Sequence, residues 1–224
     1  MRKIIVATFT SMDGVLQAPG GPHEDTSGGF KYGGWMFHYT DDQTDNKLGQ
    51  IMSEPFDLLL GRRTYEIFSA YWPYQPSDNP IATLFNRINK YVVASTPVDL
   101  SWEHSTLITG DTISELKKLK EQDGPDLLVH GSSVLIQSLL ANKLIDELHI
   151  WTFPVTLGEG RKLFQDGTQA AQWKVTDVVI GANGGIVASY IPDGDIRLGS
   201  FETAGVSASK AELARREKFA KETY

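Results

Sequence analysis

Two short segments carry residue types that hold phosphate groups. The first is Leu58-Leu59-Leu60-Gly61-Arg62-Arg63-Thr64-Tyr65-Glu66. An apolar run meets a glycine, two arginines and then a threonine able to cap a following helix. Arginine at a strand end beside a helix N-terminus suits an anion, through its charge and through free backbone N–H groups. A solvated basic turn is the other reading of the same residues. The second segment is Leu127-Leu128-Val129-His130-Gly131-Ser132-Ser133-Val134-Leu135. Small residues there let a backbone approach a ligand. The segment falls short of the fuller G-x-G-x-x-G fingerprint, and a plain N-capped helix accounts for it equally well.

One acid stands out. A helix is expected over residues 41–53, closed by Pro55, and on it Asp45, Leu48, Gly49 and Met52 share a face. A carboxylate on an otherwise apolar face needs a partner or a ligand. The alternative is a first-turn acid favoured by the helix dipole. Trp35, Phe37 and Tyr39 either wall a substrate pocket or pack as loop ballast on the core.

Other chemistries find no residues to work with. There is no cysteine, which removes disulfides, thiolate metal sites and cysteine nucleophiles together. The five histidines are scattered and form no metal set. No Gly-x-Ser-x-Gly elbow or zinc-binding helix occurs. A formal charge of −7 disfavours nucleic acid as a partner. No apolar run reaches the ~18 residues of a membrane span, and the start, Met1-Arg2-Lys3, does not lead into a signal peptide. The expectation is a soluble, cytoplasmic protein acting on a small molecule.

The elements that must place these residues form an α/β pattern. Strands are expected at 3–9, 56–60, 90–95, 107–109, 126–130 and 145–153, with helices near 64–70, 81–88, 112–122 and from Gly131 to about Ala141. The strands are apolar throughout, not alternating, which means a largely parallel sheet covered on both faces. Val175 to Ile180 and Ile186 to Ile191 read as an antiparallel hairpin around Gly184-Gly185. Residues 10–40 form a long loop whose aromatics argue against disorder. After Asp195 the character changes. Residues 1–195 are expected to form one domain and 196–224 a charged tail. Ser209-Lys210-Ala211-Glu212 has the spacing of a capping box, so the tail is read as partly helical, either loose or packed on a partner. An adventitious extension is the alternative.

The order of these segments resembles a known superfamily. Strand one, Met12-Asp13-Gly14-Val15, the Gly61-Arg62-Arg63-Thr64 turn, residues 90–96 and Gly131-Ser132-Ser133-Val134-Leu135 follow one another as in dihydrofolate reductase-like proteins. The resemblance is nearest to the reductase domain of bifunctional riboflavin-biosynthesis deaminase/reductases and its single-domain bacterial relatives. Leu144 to Ile150, Pro154 to Gly160 and Leu163-Phe164 are its most specific part, and it spans roughly residues 3–192.

The resemblance implies a three-layer dihydrofolate reductase-like fold, NADPH as cofactor and hydride transfer to a small, planar or heterocyclic substrate. It assigns Gly61, Arg62, Arg63 and Thr64 to the adenosine-side phosphate, and Ser95 and Thr96 to the adenine ribose phosphate. Gly131, Ser132, Ser133, Val134 and Leu135 take the pyrophosphate; Ala7, Val15 and Leu16 line the nicotinamide. Many relatives carry two or three glycines where this chain has Gly131-Ser132-Ser133. Asp45 precedes Gly61 by 61 − 45 = 16 residues, a spacing like that of a folate-binding carboxylate. Acids at 41, 42 and 45 favour a solvated helix start, however, so little dihydrofolate reduction is expected. A true folate or pterin reductase and a noncatalytic nucleotide-binding protein are the rival readings. Relatives commonly pair. Strand 145–153 is apolar on both faces, with Trp151 and Phe153 on one and Leu148 and Ile150 on the other, and needs cover on both. A homodimer is expected, the chain's own helices being the alternative cover.

Overall fold

The computed structural model describes residues 1–202 and 205–223. Strands β1 (Ile4–Ser11), β2 (Phe56–Gly61), β3 (Lys90–Val93), β4 (Ser105–Ile108), β5 (Asp126–Val129) and β6 (Glu147–Phe153) lie parallel. Strands β7 (Trp173–Ile180) and β8 (Ile186–Pro192) close the sheet as an antiparallel hairpin. The order across the sheet is β4-β3-β2-β5-β1-β6-β8-β7. Both the mixed sheet and the final hairpin match what the apolar runs and the paired glycines imply.

Helices cover both faces. On one side α4 (Thr112–Glu121) and α5 (Ser133–Ala141) bury Leu116, Leu119, Ile136 and Leu139 against Ile4, Val6, Leu127 and Val129. On the other, α2 (Arg62–Ser69), α3 (Pro80–Arg87) and the long loop bury Tyr65, Phe85, Phe30 and Trp35 against Leu58, Leu60, Val92 and Leu128. Helix α1 (Asp42–Ile51) packs on β7 and β8. The central strands therefore have no solvent face, which is why they carry no polar alternation. Asp57 interrupts the apolar run of β2, yet it is buried, paired with Arg2 at 2.5 Å.

Two local expectations need correction, the Thr64 cap and the capping box of the tail, and the choice left open for Trp35 is resolved. Helix α2 begins at Arg62, so Thr64 lies inside it and does not cap it. Trp35 is core ballast: it is buried, and its indole Nε1 donates to the Gln17 carbonyl at 2.8 Å. Phe37 is instead exposed. In the tail, α6 (Lys210–Phe219) starts at Ser209, whose hydroxyl accepts from the Glu212 N–H. Glu212 completes no reciprocal cap; its carboxylate pairs with Arg215 and Arg216, which offer charge as well as hydrogen bonds. No residue of α6 is buried. Positions 203, 204 and 224 of the expected tail lie outside the described residues.

Candidate functional site

The C-terminal ends of β1, β2, β3 and β5 open into a cavity of about 1070 Å³. That is where ligands bind in open α/β sheets. Gly61, Arg62, Arg63, Thr64, Ser95, Gly131, Ser132, Ser133, Val134, Leu135 and Leu16 all line it. The two phosphate-type segments are thus neighbours in space although far apart in sequence.

Their helices are built differently from the rest. Asp41, Asn79, Asp111 and Ser209 cap α1, α3, α4 and α6 with side-chain hydrogen bonds. Helices α2 and α5 have no side-chain cap. Their first N–H groups, orphaned by helix geometry, are left free of any side-chain acceptor at the cavity. Ser132 could have capped α5 but is turned elsewhere. With φ +70° it sits in the left-handed region. Its hydroxyl accepts from the Gly61 N–H at 2.9 Å and lies 2.5 Å from the Thr64 hydroxyl. The serine thereby ties one turn to the other. It also accounts for Gly61, where a Cβ would lie 2.7 Å from the Ser132 Oγ.

Charge collects beside these turns. Arg62 pairs with Glu66 at 2.7 Å, one helical turn on. Arg63 and Arg161 both reach Asp25, which the long loop carries over the cavity. Burial pushes the Asp25 carboxyl up, but hydrogen bonds from Ser27 and the two guanidinium groups outweigh it and hold it below the usual range. Arg161 also donates to the Ser27 hydroxyl at 2.7 Å. Gln17 is buried and fastens the same loop, accepting from the Arg161 N–H and donating to the carbonyls of Asp25 and Ser27. Glu24 lines the cavity as well. Its carboxyl is pushed up by burial, against the hydrogen bonds it accepts from the Gly20 and Gly21 amides.

The other end of the cavity is aromatic. The Phe9 ring stacks on His130 with centroids 6.1 Å apart, and Phe85 lies 6.3 Å from the same imidazole. Phe68 stacks on Phe85 at 5.9 Å, and Trp72 meets Phe85 edge-on at 5.2 Å. Leu48 from α1 and Met52, its C-cap, complete this wall. Burial holds His130 neutral, pulling its pKa down to about 4. By sequence alone His130 is one of the scattered histidines, each read as a packing or surface residue. The signal was its position, last before Gly131 at a strand end.

Four expected residues do not line the cavity. Ala7 and Val15 are fully buried, and Thr8 and Phe9 take the lining position on β1. Val15 is pinned in a bridge to Lys162, beneath Gly160. Thr96 stands one residue beyond the lining. Asp45 is exposed in the first turn of α1. With Asp41 as N-cap, the inward positions of that helix are Thr44, Leu48 and Ile51, and the Thr44 carbonyl accepts from Trp151. The apolar face is displaced by one residue from the expected one. The Asp45 carboxyl is pushed up by partial burial and by the charges of Asp41 and Asp42. The helix thus presents Leu48 and Met52 to the cavity in place of an acid.

Residues 2–186 match the family model of the RibD C-terminal domain. The uncharacterized protein YyaP of Bacillus subtilis strain 168 is 24% identical over 192 residues, covering 84% of this chain and 94% of the relative. A pyrimidine reductase-like protein from Corynebacterium diphtheriae has a similar structure, with a TM-score of 0.56 at 15% identity, over 87% of this chain and 93% of that one. The dihydrofolate reductase of Enterococcus faecalis complexed with NADP(H) superposes with a TM-score of 0.53 at 16% identity, over 86% and 97%. These likenesses establish a dihydrofolate reductase-like fold.

Proposed function

The chain belongs to the RibD C-terminal domain family, and from that premise we propose that it is an NADPH-dependent reductase passing hydride to a small planar or heterocyclic substrate. The observation that carries this reading is the pair of uncapped helix N-termini, α2 and α5, opening with Arg62 and Arg63 on one cavity. Backbone N–H groups and guanidinium charge together form a site for a ligand with several phosphates. The Enterococcus faecalis relative, which is complexed with NADP(H), adds support from the same fold.

The residues present fit such a cofactor. Gly61, Arg62, Arg63 and Thr64 would hold the adenosine-side phosphate, with Ser95 beside them. The N-terminus of α5, from Gly131 to Leu135, would take the pyrophosphate. Leu16, Thr8 and Phe9 would flank the nicotinamide. The cofactor supplies a hydride when bound. The chain's part is to orient it and to exclude water from the aromatic end. Asp45, exposed at the helix start, supplies no buried acid for a pterin, so dihydrofolate is not the expected substrate. The protein is proposed to work as a cytoplasmic homodimer.

Calorimetry with NADPH and NADH tests the reading. The wild type should bind NADPH at least tenfold more tightly. An Arg62→Ala/Arg63→Ala double variant should lose most of that preference. Equal affinity for both cofactors in the wild type would remove the role given to these arginines.

A further inference from the structure

Each arginine at the charged end of the cavity already has a carboxylate beside it. Arg62, Arg63 and Arg161 line that end together with Glu24 and Asp25. Arg62 pairs with Glu66 one turn along its own helix, and both side chains are exposed. Water screens such a pair, so its arginine is released at little cost. Arg63 is held differently. Its partner Asp25 comes from the long loop, 38 residues away in the chain, and the Asp25 side chain is only 8% exposed. Opposite charges sheltered from water attract each other more strongly. A phosphate arriving at the α2 turn therefore meets an arginine that is already neutralised.

Asp25 divides its two oxygens unequally. Its Oδ2 accepts from Arg161 Nη1 at 2.5 Å, and Arg161 Nη2 donates to the Ser27 hydroxyl at 2.7 Å. Its Oδ1 is crowded. That atom accepts from the Ser27 N–H at 3.1 Å, from the Ser27 hydroxyl at 2.5 Å and from Arg63 Nη1 at 3.3 Å. The Arg63 contact is the longest of the four. When Arg63 leaves, Asp25 keeps Arg161 and both Ser27 donors, so no buried charge is stranded. The loop also stays fastened, because Gln17 donates to the carbonyls of Asp25 and Ser27 and accepts from the Arg161 N–H. The Arg63 side chain is 44% exposed and has room to turn. Glu24 cannot replace Asp25 as its partner, since the Gly20 and Gly21 amides hold that carboxylate at 2.7 and 3.1 Å.

We propose that Asp25 sets this chain's affinity for phosphate at the α2 turn: it is the counter-ion of Arg63 when no phosphate is bound and yields that arginine to an incoming phosphate, while Arg161 and Ser27 keep the loop in place. The inference rests on the reductase reading only for the identity of the phosphate, which there is the adenosine-side phosphate of NADPH. The exchange of partners belongs to these side chains alone.

Calorimetric titration of inorganic pyrophosphate into the full-length protein tests it. Asp25→Asn keeps the side-chain shape and removes the counter-ion, so pyrophosphate should bind about tenfold more tightly than to the wild type. In an Arg63→Ala background the same substitution should gain about threefold or less, because the released partner is gone. Ser27→Ala decides the matter should Asp25→Asn fail to fold. It keeps every charge but takes one donor from Oδ1, so Asp25 holds Arg63 harder and pyrophosphate should bind about twofold more weakly. Pyrophosphate binding no tighter in Asp25→Asn, a gain undiminished by Arg63→Ala, or wild-type or better binding in Ser27→Ala would each overturn the inference. A parallel NADPH titration of the wild type separates the two ideas. NADPH binding with none of the predicted changes in the variants refutes the counter-ion and keeps the reductase reading. The predicted changes in a protein that does not bind NADPH keep the counter-ion and remove the cofactor.

Discussion

Ser132 shows how one side chain can decide the geometry of a site. A residue with a Cβ pays about 1–2 kcal/mol to adopt a left-handed backbone. Here the hydroxyl gains the Gly61 amide and the Thr64 hydroxyl, joining the two phosphate-type turns. Ser132→Ala should keep the strain and strand the Gly61 N–H, costing ~1–2 kcal/mol in urea unfolding. Ser132→Gly should relieve the strain and remain within about 1 kcal/mol of the wild type. His130 makes a second prediction. Its pKa is about 4 in the folded protein against 6.5 for the free group. The unfolded chain therefore takes up a proton that the folded one refuses as the pH falls from 6.5 toward 4. Stability present above pH 6.5 should decline across that window, by roughly 3 kcal/mol at most from this group. The depressed His149 adds a slope of the same sign. In His130→Phe the decline measured by denaturant titration at several pH values should be shallower; an unchanged slope would mean that the imidazole is not held neutral. The arginine turn was legible in the sequence because glycine and paired charge leave a local pattern. His130 and Arg161 were not, since what matters for them is a neighbour remote in the chain: Phe9 and Phe85 for the one, Asp25 for the other.

At the scale of elements, periodicity located the helices and strands but not the rotation of α1. Asp41 and Thr44 cap that helix reciprocally, and this sets which face turns inward. A shift of one residue rotates a helix by about 100°, so Thr44 and Ile51 turn inward and Asp45 lies exposed, while Leu48, common to both faces, still reaches the cavity. Apolar residues recurred on both candidate faces, so the sequence pattern could not choose between them. Strand β6 gives the opposite lesson. Trp151 and Phe153 on one side and Leu148 on the other are buried by the chain itself, so the expected need for outside cover is met there. The uncovered surface lies further out. Val175, Val178, Ile180 and Ile186 on the β7–β8 hairpin are all exposed, 43% or more. They share a face with Ala188 and Tyr190 through the strand register. This patch carries no charge, so a second copy meets it without repulsion under a two-fold axis, whereas the rest of the surface belongs to a chain of net charge −7. Sedimentation at micromolar concentration should give a dimer, and Val178→Lys/Ile180→Lys should give a folded monomer. A wild-type monomer would remove the homodimer from the account.

Across the whole molecule, the two cores draw their residues from Ile4 to Tyr190, and a C-terminal segment follows. Its exposed Leu198 and Phe201 and the unburied α6 enter neither core. Within the described residues no helix is long and apolar enough to cross a membrane. The central claim is that the cofactor lies across the N-termini of α2 and α5 and leaves the aromatic compartment to the substrate. Hydrogen–deuterium exchange with and without saturating NADPH tests it most directly, because it reports position as well as binding. The account predicts slowed exchange in peptides covering residues 61–64 and 131–135, with residues 42–51 of α1 unchanged. Exchange unaltered at both turns, or protection confined to α1, would contradict it.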